Sequence, residues 1–251
     1  MKRLAVVSTH PIQYNAPLFK LLASDPNLKV KVFYTLGNSN LIVDDKGFGK
    51  KIVWDIPILE GYDYCFLSNS ASRPSTNSFL GISNPSGIQE IENFNPNVIL
   101  VFGWRFHSHI RILRYFKGKI PIVFRGDSTL LDETKSCKAL LRRITLKWVY
   151  KHIDYALYTG TNNKEYFKAH GINDKKLIFG PHAVDIERFA LPPGKDDKII
   201  RKELDINSDA IVFLFAGKLE GKKNPLLLVQ AMQAITKTNV HLLIVGNGKL
   251  E

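Results

Sequence analysis

The chain has 251 residues, 45% hydrophobic and 23% charged, and this ordinary globular composition argues against intrinsic disorder. Its formal net charge of +12 predicts an anionic partner, either phosphate ligands or an acidic membrane face. Dispersed basic residues without a recognition motif argue against nucleic acid, and two distant cysteines, Cys65 and Cys137, exclude a disulfide framework or a zinc-type spacing.

The N-terminal run Leu4–Ser8 predicts a first strand rather than a signal peptide, because Thr9-His10-Pro11 interrupts it at once. No window approaches the ~20 apolar residues that are needed to span a bilayer. We therefore expect a cytoplasmic protein, either soluble or peripheral on the inner membrane face.

Short β-branched runs then alternate with helical patterns up to about residue 180, which predicts an α/β fold with a parallel sheet covered by helices. Further strands are predicted at Lys29–Tyr34, Val98–Gly103, Ile120–Phe124, Tyr155–Thr159 and Leu177–Gly180. Helices are predicted at Ala16–Ala23, Ser86–Phe94, Ser108–Phe116, Lys138–His152 and Asn162–His170. One or two less regular strands are expected in Ile52–Asn69, and Ser70–Pro85 is predicted to be an exposed loop.

A domain boundary is predicted where the periodicity breaks at Leu191–Asp197. We expect an N-terminal Rossmann-like domain over residues 1–185, a linker over 186–209 and the start of a second Rossmann-like domain over 210–251. The latter restarts with strand Ala210–Ala216, helix Pro225–Ile235 and strand Val240–Val245, a single βαβ unit. Because one such unit leaves sheet edges and an apolar face uncovered, we expect this domain to be incomplete in the sequence.

Polar side chains follow the first strand, where open α/β sheets bind ligands. His10 can donate or accept a hydrogen bond near neutral pH, and the amides of Gln13 and Asn15 suit sugar hydroxyls. The alternative is a helix-entry loop whose polar side chains cap the backbone. The density of polar groups favours ligand contact.

Two further strand ends carry candidate site residues. After the strand at Val98–Gly103, Trp104 could stack on a sugar ring and His107 could contact substrate; alternatively Ser108 caps the helix and the histidines are exposed. After the strand at Ile120–Phe124, Arg125 suits a phosphate and Asp127 could orient a hydroxyl; a local ion pair is the alternative. His107 and His109 do not share a helix face, so a zinc site is not expected.

The segment Gly217–Pro225 carries several lysines between a strand end and a helix N-terminus. Lysines oppose the helix dipole there unless an anion offsets them, and a diphosphate would do so. This interpretation is favoured over a solvated run of charges.

The predicted helix Lys138–His152 is basic. Leu140, Leu141, Ile144 and Trp148 share one face, next to a row formed by Arg143, Lys147 and Lys151. Such a helix could dock on anionic lipid, but packing of the apolar face in the core with solvated charges is the more common arrangement.

With these residues identified, the chain resembles the family-4 type of retaining glycosyltransferases, which have the GT-B fold. The resemblance runs through Thr9–Tyr14 with Pro17-Leu18-Phe19, then Gly180–Phe189, and then Gly217-Lys218-Leu219 with Lys223. His241–Gly248 resembles the Val-Gly-x-Gly strand and loop of that family.

The resemblance implies transfer of a sugar from a nucleoside diphosphate sugar to a glycan or glycolipid acceptor, without a bound metal or other cofactor. Gly217, Lys218, Lys223 and Gly246 would contact the donor diphosphate. The acceptor would lie against the first domain, near the residues His10, Gln13, Asn15, Trp104 and Arg125, with His107 and Asp127 as candidates for catalysis.

Three departures from the family pattern are present. Lys218 stands where an arginine is usual, and Arg125-Gly126-Asp127 fills a loop that often holds histidine. The acidic Glu-x7-Glu motif would lie beyond Glu251. A non-catalytic glycan- or nucleotide-binding module and a GT-B sugar-nucleotide epimerase therefore remain as alternatives. The sugar, the nucleotide, the acceptor and the oligomeric state do not follow from the sequence.

Overall fold

The computed structural model describes residues 1–37, 43–45, 50–52, 56–131, 133, 136–190 and 196–251. The chain divides into two compact units, one made of Met1–Leu41 and Trp54–Asp185, the other of Ile42–Val53 and Ile186–Glu251. We call these the first and second units.

The described strands, in chain order, are β1 (Lys2–Ser8), β2 (Leu28–Tyr34), β3 (Val43–Asp45), β4 (Lys50–Ile52), β5 (Asp63–Phe66), β6 (Val98–Phe102), β7 (Ile122–Arg125), β8 (Tyr155–Tyr158), β9 (Leu177–Phe179), β10 (Ile211–Ala216) and β11 (Val240–Val245). Seven of them form the parallel sheet of the first unit, in the order β5-β2-β1-β6-β7-β8-β9. The six strands predicted within residues 1–37 and 98–180 are all present, and their ends differ from the prediction by two residues or fewer.

The described helices are α1 (Ala16–Ala23), α2 (Gly87–Phe94), α3 (His107–Phe116), α4 (Cys137–Tyr150), α5 (Thr161–Ala169), α6 (Ile186–Phe189), α7 (Asp196–Glu203) and α8 (Pro225–Gln233). Short α6 and longer α7 lie in the stretch predicted to be a linker. The basic residues Arg201 and Lys202 occupy the last turn of α7, where they complement the helix dipole. This local signal for a helix was not used in the prediction of a linker.

Both faces of the seven-stranded sheet are covered, because successive strand residues point to opposite sides. Along β1, Leu4 and Val6 pack with α1 through Phe19. Ala5 and Val7 belong to the larger core, which includes residues of α2, α3, α4 and α5. Burial on both faces explains why the two central strands, β1 and β6, contain continuous apolar runs in the sequence.

The loop Ser70–Pro85 is less exposed than predicted. It contains one short 3₁₀ turn, Phe79–Gly81, followed by Ile82, which is fully buried. The buried Asn84 amide donates hydrogen bonds of 2.9 Å to the carbonyl oxygens of Thr35 and Ser68. The polar composition of residues 70–85 therefore reflects hydrogen bonding to the backbone as well as solvent exposure.

Helix α4 is oriented differently from the core-packing interpretation. The side chains that pack into the core are Leu146, Val149 and Tyr150. The apolar row at Leu140, Leu141, Ile144 and Trp148 is exposed instead. The sequence shows the apolar row at residues 140–148. Because α4 carries apolar residues on two faces, periodicity alone does not indicate which of the two faces is buried.

The second unit contains the parallel pair β10–β11 with α8 between them in sequence, as predicted. The antiparallel pair β3–β4 also belongs to it and was not predicted, because each of these strands has only three residues. Apolar side chains of β10, among them Phe213 and Leu214, are exposed. Among all described helices, none is long and apolar enough to cross a membrane.

Candidate functional site

The strand order of the first unit reverses between β1 and β6. From β1 the sheet continues to β2 and β5 on one side, and to β6, β7, β8 and β9 on the other. In open α/β sheets, the crevice at such a reversal, outside the carboxyl ends of the strands, is the usual ligand site. The loops that follow β1 and β6 flank it, so the sheet brings the segments of His10 and Trp104 to one edge.

The loop after β1 keeps its amide side chains away from helix capping. Asn15 is the N-cap residue of α1, yet its side chain makes no capping hydrogen bond, and its own N–H donates to the carbonyl oxygen of Ile12 at 3.1 Å. Gln13 and Asn15 are both half-buried. The capping alternative is therefore wrong for Asn15, while contact of these amides with a ligand remains a prediction.

His10 lies in the same loop and is half-buried. Its Nδ1 is 3.0 Å from the hydroxyl oxygen of Thr9, and the Thr9 carbonyl oxygen accepts a hydrogen bond from the N–H of Leu36. Burial lowers the pKa of His10, because desolvation disfavours the imidazolium form. A neutral imidazole at this edge can accept a proton or a hydrogen bond from a sugar hydroxyl.

The loop after β6 begins with Gly103, whose φ of 73° lies in the left-handed region that glycine tolerates best. Trp104 is half-buried and packs against the larger core, so only part of its ring is available for stacking. His107 is the first residue of α3 and contacts the ring of Phe79 edge-on, with the centroids 6.1 Å apart. Roles for Trp104 and His107 at the substrate remain predictions.

Ser108 does not cap α3, contrary to the alternative considered from the sequence. The N-cap residue is Phe106, without a side-chain capping bond. The Ser108 hydroxyl instead accepts a hydrogen bond from the N–H of Asn84 at 2.7 Å and donates to the carbonyl oxygen of Ile82 at 3.2 Å. These two hydrogen bonds connect the loop of residues 70–85 to the first turn of α3.

His109 is fully buried at this edge, so the alternative in which the histidines are exposed is wrong for this residue. Its Nδ1 is 2.9 Å from the carbonyl oxygen of Gly103 and its Nε2 is 2.9 Å from the hydroxyl oxygen of Thr35. Burial lowers the pKa of His109 to about 4, so the ring is neutral near pH 7. Since a carbonyl only accepts, Nδ1 carries the hydrogen of the neutral ring and Nε2 is left as an acceptor. The single hydrogen of the Thr35 hydroxyl can be donated either to this Nε2 or to the Ser8 carbonyl oxygen 3.2 Å away.

This arrangement links the ends of three strands, because Thr35 follows β2, its N–H donates to the Ser8 carbonyl oxygen of β1 at 2.9 Å, and Gly103 follows β6. The sequence did contain a signal for this burial. His109 shares a helix face with Ile112, Leu113 and Phe116 at spacings of three, four and seven residues. We interpret His109 as a residue that positions the loops after β2 and β6 beside the strand-order reversal.

Arg125 ends β7 and uses two of its N–H groups on backbone carbonyls. Its guanidinium donates to the oxygen of Gly180 at 2.8 Å and to that of Pro181 at 3.1 Å, just beyond β9. Desolvation lowers the pKa of Arg125, and the negative charge of Asp127 opposes that effect. Within the described part of the chain, the ion pairs do not include Arg125 with Asp127, so the local ion-pair alternative is wrong.

Asp127 is exposed in the loop that follows β7. Next to it, Ser128 is held by the buried side chain of Asn163, whose amide donates to the Ser128 carbonyl oxygen at 2.8 Å and accepts from the N–H of Thr159 at 3.0 Å. The loops after β7 and β8 are thus joined, with the Asp127 carboxylate facing solvent. Its catalytic role, like acceptor contact by Arg125, remains a prediction.

In the second unit, the loops after β10 and β11 pair closely. The N–H of Gly217 donates to the Val245 carbonyl oxygen at 2.9 Å, and that of Leu219 donates to the Asn247 oxygen at 3.0 Å. Gly246 has a φ of 147°, and a Cβ there would lie 1.9 Å from the Gly217 carbonyl oxygen. Packing between the loops therefore requires glycine at position 246, apart from any contact with a diphosphate.

Gly217 is different, because the protein itself leaves room for a side chain there. A Cβ at this position would meet the Phe215 ring at 3.6 Å, which is ordinary van der Waals contact. Its φ does not lie in the left-handed region. Glycine at this strand end is thus not explained by packing, and it permits a ligand to approach the backbone.

A cluster of cations precedes α8. Lys222 and Lys223 end a 3₁₀ turn, Gly221–Lys223, and Pro225 is the first residue of the nine-residue α8, with no acidic residue in its first turn. Lys218 lies two residues after the end of β10 and is half-buried, as is Glu220, which follows it closely in the sequence. Helix N–H groups and two or three ammonium groups together make a setting suited to an anion.

Metal ligands are not grouped at these edges: among the described residues, no cluster of three or more His, Cys, Asp or Glu side chains could hold a metal ion.

Comparison with known families and proteins gives one sequence match. The family model described as Glycosyl transferases group 1 matches residues 196–251, which include β10, α8 and β11. No curated protein matches the chain.

Solved structures of similar fold cover nearly all of the chain. Anabaena HepE in complex with UDP and glucose is 12% identical with a TM-score of 0.59, over 99% of this chain and 61% of that one. The lipopolysaccharide outer core galactosyltransferase WaaB is 17% identical with a TM-score of 0.54, over 99% and 62%. A putative UDP-N-acetylglucosamine 2-epimerase from Listeria monocytogenes is 15% identical with a TM-score of 0.52, over 98% and 69%.

These likenesses confirm the predicted α/β fold of GT-B type with its Rossmann-like parallel sheet. The chain spans about 61% of the length of HepE and 62% of that of WaaB.

Proposed function

We propose that this chain is part of a glycosyltransferase that moves a hexose from a nucleoside diphosphate sugar to a glycan or lipid-linked acceptor, with retention of configuration. The observation that carries the proposal is the loop from Gly217 to Lys223, which places lysines before the N-terminus of α8 within the segment matched by the glycosyltransferase family model. UDP complexes of a protein with similar fold are consistent with it.

The chemistry follows from where negative charge develops. When the bond between sugar and phosphate breaks, the departing nucleoside diphosphate gains charge, and preorganised cations and helix N–H groups stabilise it. Lys218 and Lys223 would neutralise the diphosphate, and Gly217 would let the backbone approach it. This arrangement supplies positive charge from the protein, and the proposed reaction uses no metal ion or other cofactor.

On the acceptor side, the proposal uses the edge of the first unit where the strand order reverses. The amides of Gln13 and Asn15 and the neutral ring of His10 would hydrogen-bond an acceptor hydroxyl, and the available part of Trp104 would stack on a sugar ring. His107 and the exposed carboxylate of Asp127 are the candidates for proton transfer.

The experiment that tests the donor site is calorimetric titration of the 251-residue chain with UDP, GDP and ADP. We expect one nucleotide to bind, and Lys223→Ala to weaken its affinity at least tenfold, because charge-assisted contacts are worth roughly 1.5–3 kcal/mol. The matched control is Lys237→Ala, an exposed lysine beyond the opposite end of α8. Equal affinities of the two variants would contradict the donor site.

A sugar-nucleotide epimerase is the second candidate, favoured by the similar fold of the putative epimerase from Listeria monocytogenes. Incubation of UDP-N-acetylglucosamine with the protein in the absence of any acceptor distinguishes the two. Conversion to an epimer, followed by proton NMR, would support the epimerase. Unchanged sugar nucleotide, with product formed only when a glycan acceptor is added, would support the transferase.

A non-catalytic binding module is the third candidate. It predicts that glycan or nucleotide binds to the chain while no sugar nucleotide yields a product with any acceptor. Binding and transfer measured on the same preparation separate this outcome from the other two.

A further inference from the structure

Helix α4 is apolar on two opposite faces. Leu146, Val149 and Tyr150 pack into the core. On the outer side, four large apolar side chains remain exposed by 43–66% of their surface: Leu140, Leu141, Ile144 and Trp148. We call these four residues the outer row.

The outer row is continuous along the helix. At 3.6 residues per turn, its four positions fall within a sector of roughly 100°, centred opposite the buried face. The helix has 14 residues and is therefore about 21 Å long. The outer row extends over residues 140–148, about 12 Å of this length, and such an exposed apolar row is unusual for a helix whose other face already packs in the core.

The charges around the outer row all have one sign. Segment 137–151 contains five basic residues and no acidic one. By the same helical geometry, Lys138 lies on one flank and Arg143 and Lys147 on the other, while Lys151 follows the C-terminal end of the outer row and Arg142 lies towards the buried side. Arg142 also donates to the Tyr166 hydroxyl at 3.1 Å, and the Arg114 guanidinium of α3 lies 5.8 Å from the centre of the Trp148 ring.

We propose that α4 docks on an anionic lipid surface, with the outer row at headgroup depth and the flanking cations on lipid phosphates. An apolar face bordered by Lys and Arg, with an aromatic ring at its edge, is the pattern of helices that lie in the membrane interface. The occupant is lipid rather than a second copy of the chain, because a symmetric α4–α4 contact would oppose two clusters of cations. This inference does not depend on sugar transfer.

The first experiment changes the outer row. Purified 251-residue protein is sedimented with vesicles of phosphatidylcholine containing phosphatidylglycerol, and with vesicles of phosphatidylcholine alone. Leu141→Glu/Ile144→Glu should lower the partition coefficient on anionic vesicles at least tenfold. The control Leu21→Glu/Leu80→Glu makes the same change at two leucines of similar exposure outside α4, and should bind like the unaltered protein.

The second experiment changes the charge. Arg143→Glu/Lys147→Glu should lower binding to anionic vesicles at least tenfold, since each basic residue near such a surface contributes appreciably to attraction. The control Lys20→Glu/Arg73→Glu changes the net charge equally at two exposed residues, one of them on α1 over the opposite face of the sheet. Circular dichroism of all variants establishes that they are folded.

Three outcomes would overturn the proposal. The unaltered protein fails to sediment with anionic vesicles, it sediments equally with neutral ones, or the α4 variants and their controls bind alike. A dimer that Leu141→Glu/Ile144→Glu converts to a monomer, without vesicle binding, would assign the outer row to a second copy instead.

Discussion

Gly246 and Gly217 approach each other so closely that a Cβ added to Gly246 would lie 1.9 Å from the Gly217 carbonyl oxygen. The two glycines sit in neighbouring loops of the second unit, after β11 and β10. Only one of them is required by this contact, since Gly217 itself has room for a Cβ. Packing and ligand approach can therefore be tested separately.

We predict that Gly246→Ala destabilises the second unit by about 2 kcal/mol or more, because it combines a backbone clash with an unfavourable φ. Hydrogen exchange of the β10 and β11 amides, which reports local opening, should accelerate at least tenfold. The control is Gly221→Ala, since a Cβ at Gly221 has no atom within 4 Å. Protection equal to that of the control would show that the loops can separate without cost.

We predict the converse result for Gly217→Ala. Exchange in β10 and β11 should stay within about threefold of the unaltered protein, because the new Cβ makes only ordinary contact with Phe215. Affinity for the nucleotide should fall about tenfold or more, since the methyl group occupies space that a diphosphate would use. Titration calorimetry measures this, and full affinity in a stable Gly217→Ala variant would argue against donor phosphate at this strand end.

His109 makes the first unit sensitive to acid. Its pKa is about 4 when folded and 6.5 when exposed, so the unfolded state binds the proton more readily between these values. The stability contribution of the neutral ring is present above pH 6.5 and is lost as the pH falls towards 4. The full loss is on the order of 3 kcal/mol, at 1.36 kcal/mol per pKa unit.

The measurement is the urea midpoint between pH 4.5 and 7.5, followed by tryptophan fluorescence. His109→Gln should flatten this pH dependence, although His10 and His170, whose pKa values are also lowered by burial, will leave some slope. If the slope of the urea midpoint against pH were unchanged in His109→Gln, titration of His109 would not cause the loss of stability in acid. His152→Gln, at a partly exposed histidine outside the network, serves as control.

Because Arg125 donates hydrogen bonds to the carbonyl oxygens of Gly180 and Pro181, we predict that replacing its side chain lowers the stability of the first unit. Arg125→Leu should destabilise the first unit by about 1–3 kcal/mol, because it leaves two carbonyl oxygens without their donors. Arg125→Lys should recover only part of this, since an ammonium group cannot reproduce the planar fork. The measurement is urea unfolding, and Arg73→Leu, at an exposed position, is the control. Equal urea midpoints for Arg125→Leu and Arg73→Leu would show that the hydrogen bonds of Arg125 do not stabilise the first unit.

The sequence by itself determined the α/β class and six of the seven strands of the first unit's sheet. Strands buried on both faces are continuous apolar runs, and helices such as α3 have a strong period, so both signals are local in the chain. The same reasoning located the candidate loops, because parallel strands place their carboxyl ends at one edge. The lysines before α8 were likewise visible as a local pattern of strand, cations and helix start.

Only the tertiary structure decided which polar side chains at those edges already make hydrogen bonds within the protein. Arg125 is engaged by carbonyls 55 and 56 residues away, and His109 by Thr35, 74 residues away, and no local pattern encodes such distances. Burial decided the protonation of His109, and backbone proximity decided why position 246 is glycine. For α4, the sequence showed an apolar row and a basic row, but which side faces solvent depends on the sheet against which the helix packs.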